Sequence, residues 1–329
     1  MTRLAAVTGA TGFLGRYIVR ALTLADWQVR ILARHPVDHP QLRGLKLEAV
    51  VGDLSNRRAL RALVDGADAV IHAAGLIKAP TAADFWAVNV GGTANLAMAI
   101  TDGKPASRVL MVSSIAARER HLSAYAQTKR AGEEILTSIL GHRSAWTIVR
   151  PSAIYGPWDR ETLAIFRAVS RPIFLRPLVT HARVALIHAS DAAAAIAGLA
   201  ERSPAGAILE LTDERTQGYS WDEIISAAET ALGSRTLAIP VPGMIIRAAA
   251  AINVATARPW NRTPMLTPGK AREILHVDWG STVERQPPSE VWRPTIGLSE
   301  GFRDTVSWYR DQHWLPTAAS NSAAGDILH

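Results

Sequence analysis

From residue 4 to residue 149, short runs of apolar and β-branched residues alternate with longer amphipathic stretches. The short runs read as strands buried on both faces, at Leu4 to Val7, Gln28 to Leu32, Leu47 to Val51, Ala69 to Ala73, Arg108 to Val112 and Ala145 to Val149. The longer stretches predict helices at Phe13 to Ala25, Asn56 to Val64, Ala82 to Ile100 and Ser123 to Leu140. Strand and helix in regular turn predict an α/β protein, a Rossmann doubly wound parallel sheet covered by helices.

After Pro151 the alternation ends. Pro157, Pro172 and Pro177 interrupt the pattern before a strand at Val184 to His188 and an alanine-rich helix at Asp191 to Ala200. Ile208 to Leu211 reads as a strand, Trp221 to Leu232 as a helix, and Leu298 to His313 as the last helix, while prolines break Pro240 to Pro294 into short pieces. The expected division is a nucleotide-binding Rossmann domain over 1–156 and a smaller C-terminal substrate-binding region over 157–316, some of whose elements return to the sheet. A tail over 317–329, rich in Ala and Ser, is expected to fray.

Composition narrows the class. The 329 residues can bury a full core, and 48% apolar with 20% charged residues excludes a disordered chain. With no cysteine there is neither a disulfide framework nor a thiolate metal site, no metal is expected, and the cytoplasm is the expected compartment. Met1 to Val7 runs into a strand without the zones of a signal peptide. The most apolar helix, Met244 to Ala257, contains Arg247 and Asn253 and falls short of the ~20 residues a bilayer span needs. It reads as a core or lid helix, with no membrane span, and peripheral membrane contact is disfavoured because Arg247 and Arg258 are the only two cations beside it. The net charge of +7 suits a phosphate-bearing ligand; its cations are scattered singly, without a basic and aromatic module, so no nucleic-acid partner is expected.

The first strand ends in Thr8-Gly9-Ala10-Thr11-Gly12-Phe13-Leu14-Gly15, which opens the first helix. In that context Gly9 and Gly12 allow a tight turn close to a pyrophosphate, and Gly15 allows close helix packing. Thr11, Phe13 and Leu14 bring free backbone N–H groups to the anion. Where such folds place an acid on the ribose 2′-hydroxyl, this chain has Ile31-Leu32-Ala33-Arg34-His35; Arg34 favours NADP, with NAD possible. The third strand ends in Gly52-Asp53-Leu54 and the fourth in His72-Ala73-Ala74-Gly75, both at strand ends where ligands of open α/β sheets bind. Asp53 is placed on an adenine amino group, or it simply starts a helix, and His72 reads as a packed side chain outside the chemistry.

The fifth strand ends in Val112-Ser113-Ser114, and Tyr125-Ala126-Gln127-Thr128-Lys129 opens the next helix. Residues four apart share a helix face, so Tyr125 and Lys129 can both point toward Ser114. Moving a hydride to a carbonyl requires a proton on its oxygen. A tyrosine of ordinary pKa near 10 needs a neighbouring ammonium to manage that proton. Ser114, Tyr125 and Lys129 are the expected catalytic groups, with Ser114 holding the substrate oxygen and Lys129 also binding the nicotinamide ribose.

These motifs resemble the extended short-chain dehydrogenase/reductase family, which includes nucleotide-sugar epimerases and dehydratases, dihydroflavonol reductases and 3β-hydroxysteroid dehydrogenases. Thr8 to Gly15 is similar to its glycine motif, Gly52-Asp53-Leu54 to its adenine motif and His72 to Gly75 to its fourth-strand motif. Asn89-Val90-Gly91-Gly92-Thr93-Ala94-Asn95-Leu96 resembles its N-V-x-G-T-x-N-L helix. Arg150-Pro151-Ser152-Ala153-Ile154-Tyr155-Gly156-Pro157 resembles its R-P-x-x-x-Y-G-P segment, and Lys270 to Arg272, Asp278-Trp279 and Leu298 to Arg310 resemble C-terminal elements. The resemblance implies cofactor contacts at Leu54, Ala73, Ala74, Gly75, Asn89, Pro151, Ser152 and Ile154, and a homodimer through the helices at Ala82 to Ile100 and Ser123 to Leu140.

Two departures bear on the reaction. Ile115 follows Ser114 where family dehydratases carry an acid, which disfavours dehydration, and only Ile115 to Ala124 separate Ser114 from Tyr125, short for a sugar-nucleotide enzyme. Apolar stretches around Ile173 to Leu175 and Leu186-Ile187, and the helix at Met244 to Ala257, favour a moderately apolar small-molecule substrate. Arg160, Arg171, Arg176 and Arg183 keep a diphosphate in view. The expected function is NAD(P)-dependent interconversion of a carbonyl and an alcohol. The alternatives are a nucleotide-sugar 4-epimerase or reductase, and a non-catalytic dinucleotide-binding sensor or assembly subunit.

Overall fold

The computed structural model describes residues 3–103, 108–257 and 266–316. Its first six strands are β1 Leu4–Thr8, β2 Gln28–Ala33, β3 Leu47–Val51, β4 Ala69–His72, β5 Arg108–Val112 and β6 Trp146–Pro151. The later strands are β7 Ala153–Tyr155, β8 Ile173–Pro177, β9 Arg183–Val184, β10 Leu186–His188, β11 Ala207–Leu211, β12 Leu237–Val241 and β13 Asp278–Trp279. A seven-stranded parallel sheet runs in the order β11-β6-β5-β4-β1-β2-β3, so the chain winds outward both ways from β1, and β11 closes one edge beside β6. Such a Rossmann-like sheet is what the alternating pattern implied.

Alternate strand residues feed two cores. Ala5, Val7, Ile71, Leu110 and Val112 pack under α1 (Phe13–Leu24) and α7 (Ala189–Glu201), whereas Ala6, Val70, Val109 and Met111 pack under α2 (Arg57–Val64), α4 (Thr93–Asp102) and α5 (Ala124–Leu140). This two-sided burial explains why the strands read as continuous apolar runs rather than alternating ones. A third core lies in the C-terminal part, where Tyr155, Phe166, Tyr219, Ile224, Phe302 and Tyr309 join β7, α6 (Leu163–Val169), α8 (Trp221–Leu232) and α11 (Leu298–Asp311). Its aromatics meet edge to face, as at Tyr155 and Phe302, whose ring centres are 5.0 Å apart.

Two expectations are corrected. The helix predicted over Ala82 to Ile100 is instead α3 (Ala82–Phe85), a π-helical stretch Trp86–Gly92, and α4. The wide turn falls at Gly91-Gly92, where a side chain on Gly92 would come within 2.6 Å of Leu54 Cδ1, and where Thr93 Oγ1 donates to the Asn89 carbonyl at 2.7 Å. The apolar helix over Met244 to Ala257 is present as α9 (Gly243–Ala257), but it is not a core helix: among its described side chains only Ala250 is fully buried. Among the described residues no helix is long and apolar enough to cross a membrane. The predicted tail over 317–329 lies outside the described residues.

Candidate active site

The parallel order brings the carboxyl ends of six adjacent strands to one edge. Along it, from β6 to β3, stand Pro151-Ser152, Ser113-Ser114, Ala73 to Gly75, Gly9, Arg34, and Gly52-Asp53. Groups widely separated in the chain thus form a row about 24 Å long, five spacings of ~4.8 Å.

At the centre of the row, Gly9 has φ +73°, in the left-handed region, and a side chain there would meet the Ala74 nitrogen at 2.5 Å. Gly15 faces back onto Gly9, whose carbonyl a side chain would overlap. The turn therefore packs backbone against backbone, with Gly12 N donating to Gly9 O at 2.9 Å. Gly12 caps α1 without a side-chain acceptor, and the first turn, Phe13 and Leu14 included, carries no acid. Its N–H groups and helix dipole are left for an anion. Thr11 is exposed, and its carbonyl accepts from Arg16 Nη1 at 2.7 Å.

At the β2–β3 end Arg34 is exposed. Asp53 is also exposed; its carboxyl is held below the usual range first by hydrogen bonds from Ser55, with Arg34 adding a smaller electrostatic effect. Asp53 does not cap the following helix, because Asn56 does, accepting from Ala59 N at 3.0 Å. Leu54 packs against Gly92, and its carbonyl accepts from Asn95.

Beside β4, Ala73 N donates to the Thr8 carbonyl at 3.2 Å and Ala74 N to Thr8 Oγ1 at 3.3 Å, which fixes this loop against the glycine turn. Beneath them His72 bridges Thr8 Oγ1 at 2.7 Å and Thr93 Oγ1 at 2.8 Å. Burial, followed by the nearby Lys129 charge, pushes its pKa down to about 3, so His72 is a neutral strut. The Asn89 amide is fully engaged: it accepts from Leu76 N at 2.7 Å and donates to Leu76 O and Thr128 Oγ1. It ties the β4 loop to α5 and has no free donor to offer.

Of the three predicted catalytic side chains, Ser114 and Tyr125 lie side by side, and Lys129 follows one helical turn after Tyr125. Ser114 caps the 3₁₀ turn Ile115–Glu119, accepting from Ala116 N at 3.2 Å. Ser123 caps α5 and starts it two residues before Tyr125. Burial pushes the Tyr125 phenol up to about 12; the Ser114 hydroxyl beside it pulls the other way, and Glu273 adds to the rise. One turn on, Lys129 is 6% exposed and donates to Val112 O at 2.8 Å, which leaves two ammonium N–H groups, close to Gly75. Burial brings Lys129 down to about 8 against the opposing pull of Glu133.

Three further groups shape the site. Glu133, one turn beyond Lys129, is buried and receives Ser113 Oγ, Arg150 Nε at 2.9 Å and Arg150 Nη2 at 2.6 Å. Its spacing of four from Lys129 and eight from Tyr125 was the signal in the sequence that could have found it. Glu273 of α10 (Pro268–Ile274) accepts from Ser123 Oγ, and Arg272 Nε donates to Leu122 O at 2.6 Å, so α10 clamps the start of α5. No local pattern announces that link, which spans 150 residues. At the β6 end Pro151 is buried, Ile154 sits partly buried in β7, and Ser152 Oγ is buried with no hydrogen-bond partner among the described residues.

These features fit a dinucleotide: an uncapped helix start behind a turn that only glycine can make, a spare buried hydroxyl at Ser152, and spare ammonium protons at Lys129. Two surface concavities, about 380 Å³ lined by Arg176, Thr180 and Trp221 and about 270 Å³ lined by Arg160, Arg167 and Arg171, lie off this row. Neither contains any of its residues.

The sequence pattern of the NAD dependent epimerase/dehydratase family matches residues 5–211. Ceramide reductase of Caulobacter vibrioides (strain NA1000 / CB15N) is 43% identical over 311 residues, covering 94% of this chain and 96% of that protein. The crystal structure of gox2253 superposes with a TM-score of 0.74 at 20% identity, covering 95% of this chain and 99% of that one. UDP-glucose 4-epimerase of Thermus thermophilus, solved in complex with NAD, does so with a TM-score of 0.65 at 21% identity, covering 94% and 99%. At those identities the two structures speak for the fold.

Proposed function

The chain belongs to the NAD dependent epimerase/dehydratase family, and on that footing we propose that it is an NADP-preferring reductase of a ketone on a long-chain, ceramide-class lipid. The near-full-length match to a ceramide reductase carries the choice of reduction over epimerisation. The ten-residue stretch Ile115 to Ala124 between Ser114 and Tyr125 supports it, since it is folded down as a 3₁₀ turn with Ile115, Ala116 and Ala117 buried. The reading includes a cytoplasmic location and a homodimer through the outer faces of α4 and α5.

When bound, the cofactor supplies the hydride. Gly9, Thr11, Gly12, Phe13, Leu14 and Gly15 take its pyrophosphate at the start of α1, Arg34 its 2′-phosphate, and Asp53 and Leu54 its adenine. Ala73, Ala74, Gly75, Pro151, Ser152 and Ile154 border the nicotinamide half, with Asn89 positioning Gly75 and Lys129. Ser114 donates a hydrogen bond to the substrate carbonyl, and Tyr125 gives that oxygen its proton. Lys129 stabilises the phenolate left behind and holds the ribose hydroxyls.

At neutral pH the phenol, at about 12, is protonated and ready to donate, and Lys129, at about 8, is charged. The expected profile of kcat/KM for reduction is level through neutral pH and falls above about 8, as Lys129 loses its proton. A Lys129→Met variant is slower at every pH and lacks that fall. Lys129 binds its proton less tightly in the folded chain than at its ordinary 10.5, so between about 8 and 10.5 the unfolded state holds more protons. This group's contribution to folding therefore improves with rising pH, and the loss of rate is not its unfolding. Rate profiles and melting curves over the same buffers check both signs.

The cofactor preference rests on Arg34. Arg34→Glu is expected to weaken NADPH binding about tenfold or more while changing NADH little, because a bidentate cation–phosphate contact becomes a repulsion. Titration of nicotinamide fluorescence with both cofactors measures it, and unchanged NADPH affinity would assign the 2′-phosphate elsewhere.

A further inference from the structure

Ile173 and Leu175 of β8 stand in register with Leu237 and Ile239 of β12. Partners in a parallel ladder share a face, and these four are 52, 65, 64 and 38% exposed. Phe174, on the opposite face, is buried in the third core. One side of this two-stranded sheet therefore turns four large aliphatic side chains to solvent. Leu178, just after β8, is also exposed, and β12 leads through Pro242 into α9, whose Met244, Ile245 and Ile252 are 79, 57 and 63% exposed. Isolated exposed leucines are ordinary, but a run of this kind marks an interaction surface.

Its charge is one-sided. Residues 171–183 and 235–257 hold Arg171, Arg176, Arg183, Arg235 and Arg247 and no acid. Arg176 and Arg183 are paired with Asp222 and Glu223 of α8. Arg171, Arg235 and Arg247 are exposed and, among the described residues, form no ion pair. An aliphatic surface rimmed by free arginines complements the boundary between anionic headgroups and acyl chains. A second copy fits less well, since a two-fold contact would set each arginine rim against its own counterpart.

We infer that β8, β12 and α9 form a docking surface for an anionic lipid bilayer, with the aliphatic side chains entering the headgroup boundary and Arg171, Arg235 and Arg247 meeting lipid phosphates. This goes beyond the reductase reading and does not depend on it. The test is flotation of the full chain with vesicles of phosphatidylcholine mixed with phosphatidylglycerol, and of phosphatidylcholine alone, with no substrate or cofactor present. Binding to the mixed vesicles is expected, about tenfold or more weaker on neutral vesicles or in high salt.

The double variant L175E/I245E should lose the binding while its circular dichroism and melting temperature stay those of the parent. R235E/R247E, which touches no apolar position, should lose it as well. Failure of the parent chain to float with anionic vesicles overturns the inference, as does unchanged binding by both variants. A solution dimer that dissociates in L175E/I245E would assign the surface to a second copy and overturn it too.

Discussion

Tyr125→Phe is expected to lower kcat for ketone reduction by about 10³-fold, within the 10²- to 10⁴-fold span of positioned proton transfer, and to leave NADPH affinity unchanged. The change removes one oxygen. The ring that rests 6.4 Å from Phe85 is kept, and so are the Ser123 cap and the Lys129 bond to Val112 O, so the geometry of the turn survives. What disappears is the group proposed to protonate the substrate oxygen, and Ser114, already accepting from Ala116 N, is an alcohol too weakly acidic to replace it. Stopped-flow measurement of a single turnover separates this from slow product release. A variant within tenfold of the parent would remove Tyr125 from the proton path.

Arg150→Met is expected to destabilise the fold by about 3–5 kcal/mol, because it strands a buried carboxylate. Glu133 and Arg150 have side chains 3 and 8% exposed and meet through two hydrogen bonds, at 2.9 and 2.6 Å, with Ser113 on the same carboxylate. Without the guanidinium, Glu133 either stays charged with only Ser113 and the nearby Lys129 to offset its desolvation, or takes up a proton. Each alternative costs stability. The double variant Glu133→Gln with Arg150→Met should regain part of the loss: neither member of the pair is left as an unpaired charge, but the buried Lys129 gives up the favourable pull of Glu133. Calorimetric melting of the single and double variants reads this directly, and a single variant as stable as the parent would mean that the pair is solvated.

The strands of the central sheet were legible because a strand buried on both faces must be apolar throughout; β1, β2 and β4 differ from their predicted ends by one residue. The glycine turn was legible because its spacing answers to backbone contact, as the overlap awaiting any side chain at Gly15 shows. Tyr125 could be placed beside Ser114 because a strand end and the following helix start suffice to bring them together. The π-helical stretch at Trp86 to Gly92 was not legible: the apolar period continues through it, and the turn widens where Leu54, from another element, needs the space at Gly92.

At α9 the core alternative fails for a different reason. Hydrophobic composition tells that a helix seeks an apolar neighbour, but not whether that neighbour is the protein's own core, and Met244, Ile245 and Ile252 face outward. Likewise the clamp of Glu273 on Ser123 joins segments far apart in the chain, and each looked like ordinary helix-end chemistry by itself. The sequence motif around Asn89 does not tell that its amide is taken up by Leu76 and Thr128.

Reduction of a lipid ketone by Ser114, Tyr125 and Lys129, as proposed, is tested by mixing the purified chain with NADPH and a long-chain ceramide-class ketone, following the loss of nicotinamide absorbance, and identifying the product by mass. One alcohol is expected for each NADPH consumed, with turnover all but abolished in Tyr125→Phe. Conversion of a UDP-sugar to its epimer without net loss of the nicotinamide, and no reaction with the ketone, would contradict it.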